Sequence, residues 1–280
     1  MKEFLNITFS IPEEYFELAI ASLMDFETLG IQEDYDKLIV TFDNKIITDE
    51  FVINLMDAIT SIYPKTTILN QELIAAQNWN REWEENVPLV KISNRIDILP
   101  EWKKHESKAE LPIIINPKMS FGTGQHETTR LIARLMEKYC KPNQFWIDAG
   151  TGTGVLAILA AKLGASNVFA FDNNFWAIDN ARENIILNNV EDKVIVDELD
   201  VSTTNLPTAD GIVANLFANL LIENFAKFHK SLTDNKGILL VSGVLKYQQK
   251  ELIEAAQQDG FNLLEVINEE EWISVAFQSN

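Results

Sequence analysis

Between Phe145 and Asp172 the chain reads FWIDAGTGTGVLAILAAKLGASNVFAFD. An apolar run ends on the acid Asp148. Gly150, Gly152 and Gly154 follow at alternate positions, then a helix-like stretch and a second apolar run that closes on Asp172. Glycines where a strand breaks let the main chain approach a ligand closely. The helix that follows directs its first N–H groups at whatever occupies the turn. An acid at the tip of the next strand is positioned to accept hydrogen bonds from ribose hydroxyls. These residue types at this spacing point to binding of a ligand that contains a nucleoside.

Two cofactor classes share the pattern. From Gly152 the run Gly-Thr-Gly-Val-Leu-Ala fits the dinucleotide fingerprint, with Asp172 twenty residues on, which indicates a nicotinamide or flavin. From Asp148 the run is Asp-x-Gly-x-Gly-x-Gly, the arrangement that S-adenosylmethionine enzymes use beneath the methionine and ribose. A tight turn with no ligand is the third reading. Other polar candidates lie elsewhere. The run Asn116 to Thr129, NPKMSFGTGQHETT, combines glycines with cap-forming threonines just before a helical period begins. Asn215 ends the strand-like Gly211–Asn215, and ligands of open parallel sheets bind beyond the carboxyl ends of strands. His126 is either a proton acceptor or a loop histidine that caps and packs. Cys140, the single cysteine, falls late in an apolar stretch and reads as packing.

The elements that must hold these residues follow from periodicity. Residues 1–70 read strand, helix, hairpin, helix, strand: Phe4–Ser10, Glu13–Met24, Gly30–Glu33 with Lys37–Phe42, Asp49–Ile62 and Thr66–Leu69. That β-α-β-β-α-β order is the ferredoxin-like plan of a small α+β domain. Residues 71–111 read as a linker with some helix. It carries Trp79 and Trp83 four apart on one helical face, then a strand pair near Arg95–Leu99 and Leu111–Ile115. Residues 112–280 form the ligand-binding domain, with a helix over Thr128–Tyr139 and strands near 145–148, 167–171, 194–197, 211–215 and 237–242. Apolar strands alternating with helices mean a parallel sheet covered on both faces. The last two strands, Phe261–Ile267 and Trp272–Phe277, are joined by four residues, which permits only an antiparallel hairpin. A dinucleotide fold completes its sheet with parallel strands. A seven-stranded Rossmann-like α/β sheet with an antiparallel last strand is the class I methyltransferase plan, so the ending favours the methyl donor.

Bulk properties narrow the partners. The 280 residues carry a net charge of −19, which disfavours direct binding to nucleic acid. Residues 1–70 hold thirteen Asp/Glu against four Lys/Arg, a net of −9. This is either a solvated face or a docking surface for a basic partner. The opening residues MKEFLNITFSIPEEYF lack a secretory signal pattern, and no apolar run reaches the ~18 residues that span a bilayer. A cytoplasmic protein with no membrane association is expected, and the lone cysteine suits a reducing compartment.

The motifs together resemble one family, the bacterial methyltransferases of large-subunit ribosomal protein L-eleven (L11). The specific element is Phe-Gly-Thr-Gly-x-His-x-Thr-Thr, present from Phe121 to Thr129. It is accompanied by Ala-Asn-x-x-Ala at Ala214–Ala218, Ser-Gly-x-Leu at Ser242–Leu245, Glu271-Trp272 and the tryptophan-bearing segment around Trp79 and Trp83. The resemblance runs from about Trp79 to the C-terminus, with only a pattern-level match before it. It implies methylation of the N-terminal α-amine and lysine ε-amines of L11 with S-adenosylmethionine as cofactor. The amino-terminal domain would recognise the substrate. Thr129, Gly150, Asp172 and Asn215 would contact the cofactor, the backbone at Gly152 and Gly154 would close on its methionine moiety, and no metal is implied. Asn215 and His126 are the candidate catalytic residues. Many members have Gly-Cys-Gly-Ser-Gly where this chain has Gly150-Thr151-Gly152-Thr153-Gly154, a departure that keeps the glycines. A methyltransferase acting on another protein or a small molecule, and a nicotinamide oxidoreductase, are the alternatives.

Overall fold

The computed structural model describes residues 3–23, 26–75, 87–118, 120–233 and 236–280. The chain divides into two compact units, Met1–Trp83 and Glu84–Asn280. In the first, β1 (Glu3–Ser10), β2 (Gly30–Asp34), β3 (Lys37–Asp43) and β4 (Thr67–Ala75) form an antiparallel sheet in the order β2-β3-β1-β4. Two helices, α1 (Phe16–Leu23) and α2 (Asp49–Ile62), complete the β-α-β-β-α-β sequence. Strand alternation explains the packing: Leu5, Ile7 and Phe9 of β1 and Leu38, Val40 and Phe42 of β3 are buried, while the residues between them are not. The buried set meets Phe16, Ala19 and Leu23 of α1 and Leu55 and Ile59 of α2. The hydroxyl of Thr48 accepts from Phe51 N–H at 3.1 Å and starts α2.

The second unit holds the seven-stranded sheet. Its strands are β8 (Phe145–Ala149), β9 (Asn167–Asp172), β10 (Val194–Glu198), β11 (Gly211–Asn215), β12 (Ile238–Leu245), β13 (Phe261–Glu269) and β14 (Trp272–Ser279). Their order is β10-β9-β8-β11-β12-β14-β13. All neighbours from β10 to β12 pair in parallel, and β14 is antiparallel to both β12 and β13. Successive side chains point to opposite layers, so Trp146, Val213 and Leu240 enter one core and Ile147, Ile212 and Leu239 the other. The first core holds α3 (Glu127–Tyr139), α4 (Val155–Lys162) and α5 (Phe175–Leu187); the second holds α6 (Ala218–Ser231) and α7 (Gln249–Gln258). Helix α4 is buried from Val155 through Ala161, as expected for a helix with no polar face before Lys162. Cys140 is packed in the first core, where burial pushes its thiol up to about 12.

The stretch 71–111 is not a single connector. Residues 71–75 continue β4, and residues 76–86, with Trp79 and Trp83, lie outside the described residues. From Val87 the chain packs within the second unit. There β5 (Val90–Lys91), β6 (Ile96–Leu99) and β7 (Leu111–Ile114) make a small sheet, with β6 and β7 parallel. The strand pair expected near Arg95–Leu99 and Leu111–Ile115 is present as β6 and β7, and all four residues of β6 are buried. Asp97 within β6 is buried and accepts from the Ser107 hydroxyl at 2.6 Å.

Three asparagines one helical turn apart tie the layers together. Asn188 exchanges both backbone bonds with Ile114, at 2.9 and 2.6 Å. The oxygen of Asn184 accepts from Asn116 N–H at 2.8 Å, and its amide donates to the Thr153 carbonyl at 2.9 Å. Asn180 donates to the Asn116 carbonyl at 3.0 Å. Asn180 and Asn184 lie on α5, and Asn188 caps its end. The ladder fixes the approach to the Phe121–Thr129 loop and the glycine turn with one set of side chains. Replacing Asn184 by Ala strands the buried Thr153 carbonyl and the Asn116 amide, and a loss of about 2–4 kcal/mol in chemical denaturation is expected. A loss under ~0.5 kcal/mol would show that water satisfies both groups and the ladder is dispensable.

Candidate functional site

The parallel strands all finish at one end of the sheet, and the residues that follow them converge there. Gly150 follows β8, Asp172 ends β9, Leu199 and Asp200 follow β10, Asn215 ends β11, and Gly243 lies late in β12. Strand β14 runs the opposite way, so its first residue, Trp272, reaches the same end opposite Leu245. Helix α3 starts there too, with the Phe121–Thr129 loop folded over the strand tips. Together these residues line a cavity of about 470 Å³.

The floor of the cavity is an interlock of two loops. Thr153 N–H donates to the Phe121 carbonyl at 2.9 Å, and the buried Thr153 hydroxyl donates to the Gly122 carbonyl at 2.8 Å. Gly152 has φ +54°, and a Cβ there would stand 2.4 Å from the Phe121 carbonyl oxygen. Only glycine lets the two main chains touch. At Gly150 a Cβ would stand 2.5 Å from Leu216 Cδ2, so the turn is also pressed against the end of β11. Gly154, expected at the cofactor, is not among the residues lining the cavity. Its position is instead set by the approach of α4 to α5, where a Cβ would stand 3.3 Å from Ala181. Gly154 thus serves close packing between two helices.

Two acids organise the turn differently. Asp172 accepts from Gly152 N–H and from Asn174 N–H, each at 3.0 Å, and borders the cavity. Asp148 is fully buried beneath the turn, where one oxygen accepts from the Thr151 hydroxyl at 2.6 Å and from Ala157 N–H at 3.0 Å. Its other oxygen has no hydrogen-bond partner among the described residues. Burial pushes this carboxyl up to about 7, against the two hydrogen bonds that favour its charged form and with the nearby Asp172 charge. Thr129 faces the cavity with a buried hydroxyl that likewise has no partner among the described residues.

On the wall of the cavity near Asn215, the Asn215 amide donates to the Thr128 hydroxyl at 3.2 Å, and Thr128 lies 2.8 Å from His126 Nδ1. His126 caps α3 by accepting from Thr128 N–H at 3.3 Å. Its ring is held between Phe121 and Trp272, with centroids 5.4 and 4.9 Å away. Arg130 fastens this corner: its guanidinium donates to Glu127 and Glu269 at 2.7 Å and to the Gln125 carbonyl. Arg134 adds a second bond to Glu269 at 2.9 Å. Although burial opposes it, the two arginines hold the Glu269 carboxyl below its usual range. The loop and the β13–β14 hairpin are thereby locked to one helix.

Thr129, Gly150, Gly152, Asp172, Asn215 and His126 are thus brought to one cavity. Residues singled out by no motif also line it. Asp200, Val201 and Ser202 follow β10, and the strand-end rule applied to Asn215 points to them equally. Lys227 of α6 holds that segment, donating to the Val201 and Ser202 carbonyls. The sequence marks Thr128 only as a cap-forming threonine, and its link to Asn215 has no sequence signal because 87 residues separate the two. The raised Asp148 carboxyl binds a proton in the folded protein that the unfolded chain releases near its ordinary value of 3.8. Stability from this group is therefore full at low pH and falls as pH climbs from about 4 to about 7. Comparing melting temperatures at pH 5 and pH 8, Asp148→Asn is expected to flatten that fall; equal slopes in both proteins would contradict it.

Comparison with known proteins adds identity to this geometry. The family model described as "Ribosomal protein L11 methyltransferase (PrmA)" matches residues 9–280. The ribosomal protein L11 methyltransferase of Chlorobaculum tepidum is 35% identical over 277 residues, spanning 96% of this chain and 94% of that protein. That of Chlorobaculum parvum is 35% identical over 280 residues, spanning 98% and 96%. Among solved structures, the ribosomal protein L11 methylase from Lactobacillus delbrueckii subsp. bulgaricus is similar with a TM-score of 0.62 and 29% identity. It covers 68% of this chain and 98% of its own. With a family match over nearly its whole length, this chain belongs to the ribosomal protein L11 methyltransferase family.

Proposed function

We propose that this protein methylates amino groups of ribosomal protein L11, the N-terminal α-amine and lysine ε-amines, with S-adenosylmethionine as donor. The observation that carries the reading is the convergence of the glycine turn, Asp172, the partnerless Thr129 hydroxyl and Asn215 on one cavity in a chain of this family. The antiparallel β14 and the family match favour the methyl donor over a nicotinamide. These residues suit the donor chemically. The close-approach backbone at Gly150 and Gly152 admits its amino-acid end, and Asp172 has acceptor capacity for ribose hydroxyls. Thr129 offers a hydroxyl with no other partner. When bound, S-adenosylmethionine supplies an electrophilic methyl group on a cationic sulfur.

The protein's own task is then alignment and exclusion of water. The attacking nitrogen must be neutral, and a free lysine holds its proton to a pKa of about 10.4. The apolar side chains of Phe121, Leu216, Phe217 and Trp272 that line the cavity disfavour the charged ammonium, so no strong base is assigned. In this reading Asn215 is the polar contact for the amine. The first unit recognises the substrate, and the net charge of −9 over residues 1–70 suits a basic ribosomal protein. The overall charge of −19 argues against direct contact with nucleic acid, and the reaction is set in the cytoplasm. No helix among the described residues is long and apolar enough to cross a membrane.

The test mixes purified protein, S-adenosylmethionine and unmodified L11 and follows the intact mass of L11. Stepwise gains of one methyl group, mapped to amines, are expected. No gain in mass, with donor binding established separately, would refute L11 as the substrate while leaving the donor site intact.

A further inference from the structure

Among the polar contacts at the cavity, one chain of hydrogen bonds has a fixed direction. A backbone N–H only donates, so the 3.3 Å contact from Thr128 N–H requires His126 Nδ1 to be an unprotonated acceptor. The Thr128 hydroxyl, 2.8 Å from the same nitrogen, must then donate to it. With its proton used there, the hydroxyl oxygen faces Asn215 with lone pairs only. It therefore accepts a hydrogen bond from the Asn215 amide N–H at 3.2 Å. The amide group of Asn215 can be flipped without changing its shape, and this relay decides the flip: nitrogen toward Thr128, oxygen away from it.

The relay is well supported. Thr128 is 1% exposed, so bulk water does not compete for its hydroxyl. Among the described residues, the carboxylate of Glu127 is the acid placed to draw a proton onto Nδ1. It lies 3.8 Å away and is engaged by Arg130 at 2.7 Å. Phe121 and Trp272 hold the imidazole from two sides, and Arg130 holds the backbone of Gln125 beside it.

We propose that Thr128 is a positioning residue for the methyl acceptor: with His126 behind it, it holds the Asn215 amide oxygen as the hydrogen-bond acceptor for an N–H of the substrate amine. The inference rests on the amine-methylating reading above. It assigns His126 to orientation of the relay, not to removal of the substrate proton. An acceptor aimed at the amine directs the nitrogen lone pair away from Asn215 and so contributes to transfer, whereas the donor is held by other residues.

Two measurements test it. Long-range proton–nitrogen NMR of the free protein reads the His126 tautomer. The relay requires a bare Nδ1 and a proton on Nε2, and a proton on Nδ1 overturns it. Single-turnover methylation of L11 is then compared across variants alongside calorimetric affinity for S-adenosylmethionine. Thr128→Val is expected to lose roughly 10- to 100-fold in transfer rate, with donor affinity kept within about twofold. Thr128→Ser, which retains the hydroxyl, restores most of the rate. His126→Asn, whose amide oxygen stands in for Nδ1, is expected to retain more activity than His126→Gln, whose amide stands in for Nε2. Wild-type rates in Thr128→Val, a loss confined to donor affinity, or His126→Gln outperforming His126→Asn overturns the proposal. If Thr128→Val does not fold, the ranking of the serine and histidine variants decides it. Wild-type protein that binds donor but leaves the mass of L11 unchanged overturns the substrate reading and the acceptor role of Asn215 with it. The tautomer spectrum still decides the direction of the relay.

Discussion

The site depends on the contact of two main chains: Phe121 and Gly122 lie directly on the glycine turn, joined by both the N–H and the hydroxyl of Thr153. Backbone–backbone contact of this kind allows no side chain between the partners, and the 2.4 Å approach calculated for a Cβ at Gly152 expresses that limit. Everything else in the cavity is referred to this plane. The turn presents Gly150 and Gly152 from one side, while the loop carries His126, Thr128 and Thr129 to the other.

Two sets of side chains keep the planes in register. The ladder of Asn180, Asn184 and Asn188 holds residues 114–116 and the Thr153 carbonyl on α5, so the loop and the turn share one support. The Arg130 cluster does the equivalent work on the far side by joining α3 to Glu269 of the terminal hairpin. Because β14 alone runs antiparallel, the hairpin delivers Trp272 to the end where the other strands finish. The reversed strand is therefore part of the site, not merely an edge of the sheet.

Much of this was legible in the chain itself. The helix Asp49–Ile62, the strand tips and the antiparallel terminal hairpin are local features set by periodicity and turn length, and each appears in the structure, with the hairpin connection shortened from the expected four residues to Glu270 and Glu271. The glycine turn and the Phe121–Thr129 motif identified the cavity because their spacing is contiguous. What the sequence does not carry is non-local or context-bound. Gly154 has the same spacing as its neighbours but packs on Ala181. Thr128 meets Asn215 only after the chain has folded through four strands. Sequence spacing reports which residues share an element, and only packing reports which elements share a site.

The interlocked loops build the cavity proposed to take the methyl donor. The most direct measurement is calorimetric titration of S-adenosylmethionine into wild-type protein and Gly152→Ala, with circular dichroism to establish that both are folded. The added methyl must displace the Phe121 carbonyl, so binding at one site per chain is predicted for the wild type and affinity at least about tenfold weaker for the variant. Equal affinity in the two folded proteins would contradict the claim that contact between these main chains builds the site.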